Sequence, residues 1–124
     1  MNPAVEEQII VAMNAVYMHF GKWSFPDLEA GFQAVERQFA AALEAADYLE
    51  VKRRVAEATL RAAQDTEQPV DRCLELLARV EQLGWSSLYG KANLLGAFSR
   101  YCLNHGRKDV GLHFLVPVIA ELEQ

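Results

Sequence analysis

The sequence predicts an all-α protein with about six helices in one domain, residues 1–124. Apolar residues recur at spacings of three and four along the chain, which is the periodicity of a helix with one buried face. Glycine (7) and proline (4) are few, and no useful stretch of strand-like alternation occurs. Hydrophobic residues make up 52% of the chain and charged residues 23%, which is typical of a globular protein rather than a disordered one.

The first two helices are predicted from their capping residues and their apolar stripes. Asn2 is placed to cap helix one, Pro3 takes its first position, and Gly21 ends it. Ser24 can cap helix two, with Asp27 in the capping-box position three residues later. The two predicted buried stripes are Val5, Ile9, Met13, Val16 and Phe20 in helix one, and Leu28, Phe32, Val35, Phe39 and Leu43 in helix two.

The third and fourth helices are predicted over residues 47–63 and from Pro69 to a stop at Gly84. Charged residues four apart, such as Glu50 and Arg54, are expected on the solvated side of helix three. The predicted inward positions are Val51, Val55, Ala58 and Ala62 in helix three, and Cys73, Leu74, Leu77, Val80 and Leu83 in helix four.

The fifth helix is predicted from Ser86 or Ser87 to His105, where Gly106 stops it, and the sixth begins near Asp109. Pro117 lies inside the sixth helix, so a kink or a frayed end is expected there, because proline removes a helical hydrogen bond. The predicted inward positions are Leu88, Leu95, Phe98 and Cys102 in helix five, and Leu112, Leu115, Val118 and Leu122 in helix six.

The six helices form three hairpins of similar length, over residues 3–46, 47–84 and 85–123. Shifting helix four by about 38 residues superposes it on helix six and keeps large and small residues in register. The superposed pairs are Asp71 and Asp109, Cys73 and Gly111, Leu74 and Leu112, Leu77 and Leu115, and Val80 and Val118. Such a period indicates stacked hairpins that bury a shared core.

The stretch from Leu83 to Leu122 resembles a tetratricopeptide-type repeat unit. The residues that carry the resemblance are Leu95, Phe98, Cys102, Gly106, Gly111, Leu115 and Val118. It implies a right-handed superhelical stack of three antiparallel helix hairpins (TPR-like), in which the first helix of each hairpin lines a concave groove. The chain departs from the family at Cys102, where an aromatic residue is usual, and in its period, nearer 38 than about 34. The alternative is a single irregular helical bundle.

The residue types that carry catalysis or metal binding form no recognisable motif in this sequence. His19 and His105 each lie just before a helix-ending glycine, where an imidazole complements the helix dipole, and His113 is expected in a packed helix. Cys73 and Cys102 have apolar neighbours, which predicts buried, reduced thiols. We therefore expect no catalytic residue, no metal and no cofactor.

The charge and hydropathy of the chain bound its partners and its location. A net charge of −5 and a pI near 5.1 disfavour general nucleic-acid binding. The first residues lack the features of a signal peptide, and no apolar run approaches the length of a membrane span. We expect a cytoplasmic protein that binds neither nucleic acid nor membranes.

The resemblance predicts a partner-binding groove on the polar and aromatic faces of helices three and five. The candidate groove residues are Lys52, Arg53, Tyr89, Lys91, Asn93 and Arg100. The alternative for the basic run Lys52 and Arg53 is a solvated surface, because Glu50 and Glu57 offset its charge.

The sequence thus predicts a non-enzymatic protein–protein interaction module, such as an adaptor, chaperone, immunity or regulatory protein, that binds a peptide or helix of a partner. The apolar stretch 110–122 predicts a homodimer or an obligate partner that covers helix six. The alternatives are a structural oligomerisation subunit and a small hydrolase without a recognisable motif. A deep pocket that held His105 beside a carboxylate, or an exposed Cys102, would favour the hydrolase.

Overall fold

The computed structural model describes residues 1–122, except for the side chains at positions 115, 118, 121 and 122. Within that range the chain forms six α-helices and no strand, which confirms the predicted fold class. The helices are α1 (Pro3–Tyr17), α2 (Phe25–Ala40), α3 (Ala45–Asp65), α4 (Val70–Leu83), α5 (Leu88–Asn104) and α6 (Lys108–Leu122). The predicted inward positions Leu115, Val118 and Leu122 lie outside the described side chains.

Local sequence signals account for most of the helix ends. The Asn2 side chain accepts a hydrogen bond from the backbone N–H of Ala4 at 2.8 Å, and Ser87 accepts one from Gly90 at 2.9 Å. Ser24 precedes α2 but its side chain makes no capping hydrogen bond, so the predicted capping box is wrong. Three turns contain glycines with positive φ, a conformation that other residues rarely adopt: Gly21, Gly84 and Gly106.

The turn between α2 and α3 comes earlier in the chain than the sequence predicted. The second helix ends at Ala40 rather than near residue 46, and α3 begins at Ala45. Glu44, with φ −65° and ψ 160°, is extended and redirects the chain. The chain must leave helical geometry here because α3 packs back against α2, and Leu43 is consequently only half-buried.

Helix α3 lies at the centre of the fold. It packs extensively against α2 and α4 and touches α5, whereas α1 packs on α2 and α6 packs on α5. Four of its eight buried residues are alanines, which let neighbouring helices approach closely; the eight are Val51, Val55, Ala56, Ala58, Thr59, Leu60, Ala62 and Ala63.

The third hairpin is attached to the rest of the fold by polar contacts as well as by packing. Successive helices α4 and α5 make little contact with one another. The Tyr101 hydroxyl of α5 donates to the Gln68 carbonyl in the turn before α4. Arg107, just before α6, lies 3.3 Å from a carboxylate oxygen of Asp71. These two contacts connect the third hairpin to the start of α4.

Helix α6 contacts α5 through Gly111 and Phe114, and one of its predicted inward positions, Leu112, lies off this face. Gly111 is buried and Phe114 is half-buried, and the Phe114 ring meets Phe98 edge-on at 5.7 Å between centroids. Leu112 is turned about 100° away from Gly111 and is exposed, so its predicted inward position is wrong. Leu88, at the first position of α5, is exposed as well.

Gly111 sets the separation of α5 and α6. A Cβ atom at this position would lie 2.9 Å from the Ser99 backbone oxygen, closer than a carbon and an oxygen can pack. We expect Gly111→Ala to lower the free energy of unfolding by about 1–3 kcal/mol, because the two backbones must move apart. Urea unfolding followed by circular dichroism measures the change.

Gly96 is the matched control, because it also lies in the third hairpin but a Cβ there would meet nothing within 4 Å. We expect Gly96→Ala to raise the free energy of unfolding by about 0.5–1 kcal/mol, through the better helix propensity of alanine. Equal effects of the two substitutions would contradict the close approach at Gly111.

Candidate functional site

A groove of about 440 Å³ lies between α1, α3 and α5, which are the first helices of the three predicted hairpins. Its volume is within the range of ligand-binding clefts. The lining residues are Ile9, Ile10, Met13, Asn14 and Tyr17 from α1, Arg54, Glu57, Ala58, Arg61, Gln64 and Asp65 from α3, and Gly90, Asn93, Leu94 and Ala97 from α5.

The floor of the groove is apolar and continuous with the protein core. Ile9, Met13 and Ala58 line the groove and are themselves buried. Ile10 and Ala97 are exposed at its edges. A ligand in the groove would therefore bury aliphatic surface of α1 and α5 that is now open to water.

Arg54 joins two walls of the groove. Its Nη2 lies 2.9 Å from Glu6 Oε1 of α1, and its Nε lies 3.3 Å from Glu50 Oε1 of α3. Burial alone would lower the Arg54 pKa, but the hydrogen bonds to Glu6 and Glu50 outweigh it and raise the pKa above its ordinary value. The guanidinium is therefore a fixed positive charge that links α1 to α3.

Glu57 lies on the same wall and is held by the turn before α5. Both of its carboxylate oxygens accept from the Ser86 hydroxyl, at 2.9 and 2.7 Å. Burial raises the pKa of Glu57, while the hydrogen bonds from Ser86 oppose that rise. Burial also raises the pKa of Asp65, and the nearby Arg61 opposes it.

The charges lining the groove balance, although the whole chain carries −5. Arg54 and Arg61 supply two positive charges, and Glu57 and Asp65 supply two negative charges. The lining of the groove is therefore neutral, unlike the acidic remainder of the molecule.

Four uncharged polar side chains that line the groove have hydrogen-bonding groups without a partner in the described part of the chain. Asn14, Asn93 and the Tyr17 hydroxyl make no side-chain hydrogen bond with any described residue. The Gln64 Nε2 atom is buried and has no hydrogen-bond partner in the described part of the chain. Burial raises the Tyr17 pKa, so its hydroxyl stays protonated and is available as a donor.

The sequence-predicted groove residues are spread over different surfaces. Asn93 lines the groove, but the other five do not. Tyr89 is 82% exposed, Arg100 is also exposed, and Lys91 is half-buried. Their part in partner binding stays a prediction.

Lys52 and Arg53 lie on other faces of α3. Lys52 borders a second depression of about 160 Å³ between α2, α3 and α4, and its Nζ lies 4.6 Å from the centre of the Tyr48 ring. Arg53 Nε donates to the Leu83 carbonyl at 2.8 Å, so this side chain fastens α3 to the end of α4.

Sequence reasoning missed most of the groove on α3. Arg54, Glu57 and Arg61 follow each other at spacings of three and four, and such charged series are typical of a solvated helix face. The same spacing is also typical of a stripe that faces a neighbouring helix. Arg54 has such a neighbour, because Glu6 of α1 lies 2.9 Å away.

Both cysteines are buried, and His19 and His105 are in contact with neighbouring residues. Cys73 and Cys102 are free and buried, as predicted, and burial raises the Cys73 pKa to about 11. His105 Nδ1 lies 2.8 Å from the Tyr101 carbonyl, which fits the predicted role at a helix end. His19 stacks on the Trp23 ring at 3.8 Å between centroids. The described residues contain no cluster of three metal-binding side chains.

None of the helices in residues 1–122 is both long and apolar enough to cross a bilayer.

Glu57 is expected to make stability depend on pH. Its pKa is raised in the folded state, so at neutral pH the folded chain holds a carboxylate that is less well solvated than in the unfolded chain. This cost disappears below the ordinary glutamate pKa, where both states are protonated. We expect Glu57→Gln to have a higher free energy of unfolding than the wild type at neutral pH, and an equal one near pH 3.5.

Urea unfolding at the two pH values measures this difference. Glu81→Gln, at an exposed position of α4, is the control, and we expect no change at either pH. A lower free energy of unfolding for Glu57→Gln than for the wild type at neutral pH would contradict this expectation. The hydrogen bonds from Ser86 would then outweigh the cost of burying the carboxylate.

Comparison of the chain with protein-family models, curated protein sequences and solved structures finds no significant match. The resemblance to tetratricopeptide repeats therefore depends on the residues and helix pairs of this chain.

Proposed function

We propose that this chain is a non-enzymatic protein–protein interaction module that binds a segment of a partner in the groove between α1, α3 and α5. The observation that carries the proposal is the groove itself. It combines an apolar floor, balanced charges and four polar side chains whose hydrogen-bonding groups have no partner in the described structure. Such a surface suits a ligand with both aliphatic side chains and hydrogen-bonding groups, which describes a peptide.

The tetratricopeptide resemblance supports the same proposal. It implies a right-handed superhelical stack of three hairpins in which first helices line the binding groove, and here α1, α3 and α5 border the 440 Å³ groove. We propose this TPR-like arrangement as the architecture of residues 1–124. A cytoplasmic adaptor, chaperone, immunity or regulatory protein would use such a groove.

A substitution at Ala97 tests the groove. Ala97 is exposed on α5 and lines the groove, so Ala97→Arg places a long, charged side chain there without disturbing the core. We expect the affinity for a partner to fall roughly tenfold or more, because the arginine fills the groove and brings an uncompensated charge. Capture from a lysate of the source organism identifies candidate partners, and calorimetry with the purified partner measures the affinity.

Ala34→Arg is the matched control, because Ala34 is equally classed as exposed but lies on α2 away from the groove. The control is expected to bind as the wild type does. A partner that binds Ala97→Arg and the wild type equally would show that the groove is not the binding surface.

A second candidate function, a self-associating subunit, is favoured by the outer face of α6. Leu112, Val116 and Ile119 form an exposed stripe at spacings of four and three. The sequence from Val110 to Ala120 contains no Asp, Glu, Lys or Arg. Two copies can therefore bring these faces together without like charges meeting, although each chain carries −5.

The positions of these three residues along α6 also suit pairing with the same helix of a second copy. In an antiparallel pair with a twofold axis near Val116, Leu112 of one chain lies opposite Ile119 of the other. We propose that α6 pairs in this way to form a homodimer.

Val116→Glu tests the α6 pair. It places two carboxylates beside the proposed twofold axis, so we expect the dimer to dissociate into monomers. Val11→Glu is the control, because Val11 of α1 is 62% exposed and Val116 is 61% exposed, and Val11 lies outside the proposed interface. Sedimentation equilibrium measures the mass of each variant. A wild type that is monomeric at every concentration, or a dimeric Val116→Glu, would rule out the pairing.

A further inference from the structure

We propose that the third hairpin, α5 and α6, swings as one unit about the turn of residues 84–87, and that the hydrogen bond from the Tyr101 hydroxyl to the Gln68 carbonyl holds it closed. The motion itself is independent of the proposed function. Its consequence for binding rests on the proposed function, because α5 forms one wall of the groove.

The third hairpin is packed tightly within itself. Among the described residues, α5 and α6 pack against each other more extensively than any other two helices. A Cβ atom at Gly111 of α6 would lie 2.9 Å from the Ser99 backbone oxygen of α5, so the two backbones are as close as a glycine allows. The Phe98 and Phe114 rings meet edge-on beside this contact. Because separating α5 from α6 would break this packing, the two helices move together.

The interface between the third hairpin and the helices α3 and α4, the hairpin interface, is looser. Helix α3 packs extensively on α2 and α4, whereas α5 only touches α3 and makes little contact with α4. Cys73 of α4 and Cys102 of α5 are fully buried at this interface. Burial raises the Cys73 pKa to about 11, and the Cys102 thiol adds to the rise, which shows that the two thiols are neighbours. Side chains therefore fill this interface while the helix backbones stay apart.

The turn of residues 84–87 has the properties of a hinge. Gly84 has a φ of 91°, which residues with a side chain rarely adopt. The backbone N–H groups of Trp85, Ser86 and Ser87 donate to no backbone carbonyl of a described residue. The Ser86 hydroxyl, which donates to Glu57, connects this turn to α3. A change of φ and ψ in these few residues therefore breaks little and redirects the whole hairpin.

The contact that closes the hairpin lies at the other end of α5. At a rise of about 1.5 Å per residue, Tyr101 is about 20 Å along the helix from Leu88. Its hydroxyl donates to the Gln68 carbonyl, and burial raises the Tyr101 pKa to about 12, so the donor keeps its proton at physiological pH. The neighbouring pair of Arg107 and Asp71 adds little, because the two side chains are 39% and 84% exposed. Tyr101 therefore controls the opening.

Opening changes the groove at a single wall. Asn93, Leu94 and Ala97 line the groove from α5. The other two walls, α1 and α3, are joined by the ion pair of Arg54 with Glu6 at 2.9 Å. A swing of the third hairpin therefore widens the groove on the side of α5 and leaves α1 and α3 in place. The position of this hairpin sets the width that a bound segment meets.

Cys73 and Cys102 measure the opening of the hairpin interface, because they are the only cysteines of the chain and both are buried there. The rate at which iodoacetamide alkylates them, followed by mass spectrometry, reports how often the interface opens. We expect alkylation without urea to be at least about tenfold faster than global unfolding alone allows, with the helical circular dichroism unchanged.

Tyr101→Phe removes the closing hydrogen bond and keeps the ring. We expect alkylation of both thiols to become about fivefold faster, the value that corresponds to one net hydrogen bond. Glu29→Gln is the matched control, because it breaks the ion pair of α2 with Arg72 of α4, which does not cross the hairpin interface. The control is expected to be alkylated at the wild-type rate.

Spin labels on either side of the groove test whether the α5 wall moves. Ile10 of α1 and Ala97 of α5 are exposed and line the groove, so cysteines placed there carry labels that span it. We expect the distance between these labels to be longer and more broadly distributed in Tyr101→Phe than in the parent chain. Labels at Ile10 and the exposed Ala34 of α2, both in the first hairpin, are the control and should show no change.

Three results would overturn the proposal: alkylation with the same urea dependence as the helical signal, equal rates in Tyr101→Phe and the wild type, or equal acceleration in Glu29→Gln. An unchanged distance between the labels at Ile10 and Ala97 would overturn the movable wall. These measurements need no partner, so their failure leaves the groove as a binding site. A partner that binds Ala97→Arg as well as the wild type removes the proposed function and leaves the motion of the third hairpin.

Discussion

Packing around α3 is the interaction on which the rest of the structure depends. This helix buries one side against α2 and α4 and also touches α5, so it connects all three hairpins. Its alanines matter because a helix that is approached from several directions needs small residues where the neighbouring backbones come close. Ala62 and Ala63 are fully buried, and a larger side chain at either position would separate the helices it contacts.

Ion pairs between helices of different hairpins accompany this packing. Arg54 joins α3 to Glu6 of α1, Arg72 joins α4 to Glu29 of α2 at 3.0 Å, and Arg107 reaches Asp71. Each pair is partly exposed, and such pairs contribute about 0–1 kcal/mol. These pairs therefore add little to stability, and of the three only Arg54 lies at the groove.

The groove and the α6 face differ in chemistry, which separates the two proposed kinds of contact. The groove combines aliphatic residues with amides and balanced charges, so it suits a ligand with many polar main-chain groups. The exposed α6 stripe contains only aliphatic residues, so it suits a second helix whose own polar groups are already paired. The two proposals therefore concern different surfaces of the chain.

The sequence by itself determined the six helices, their approximate bounds and several of their ends. These depend on interactions within a few residues, such as the capping of α1 by Asn2 and the positive φ of Gly84. The burial of Cys73 and Cys102 also followed from neighbouring apolar residues, because helical periodicity places them on an inner face. The turn after α3 has no such glycine, and Glu67 adopts the positive φ instead.

The tertiary structure alone decided which helix faces become a site. The spacing of Arg54 and Glu57 fits either a solvated surface or the wall of a groove, and only the position of α1 and of the turn with Ser86 distinguishes the two. Leu112 was misplaced for the same reason: periodicity identifies an apolar stripe, but the approach of α5 at Gly111 determines which part of it is covered. Contacts between residues distant in sequence depend on how whole helices are oriented, and local residue patterns do not contain that orientation.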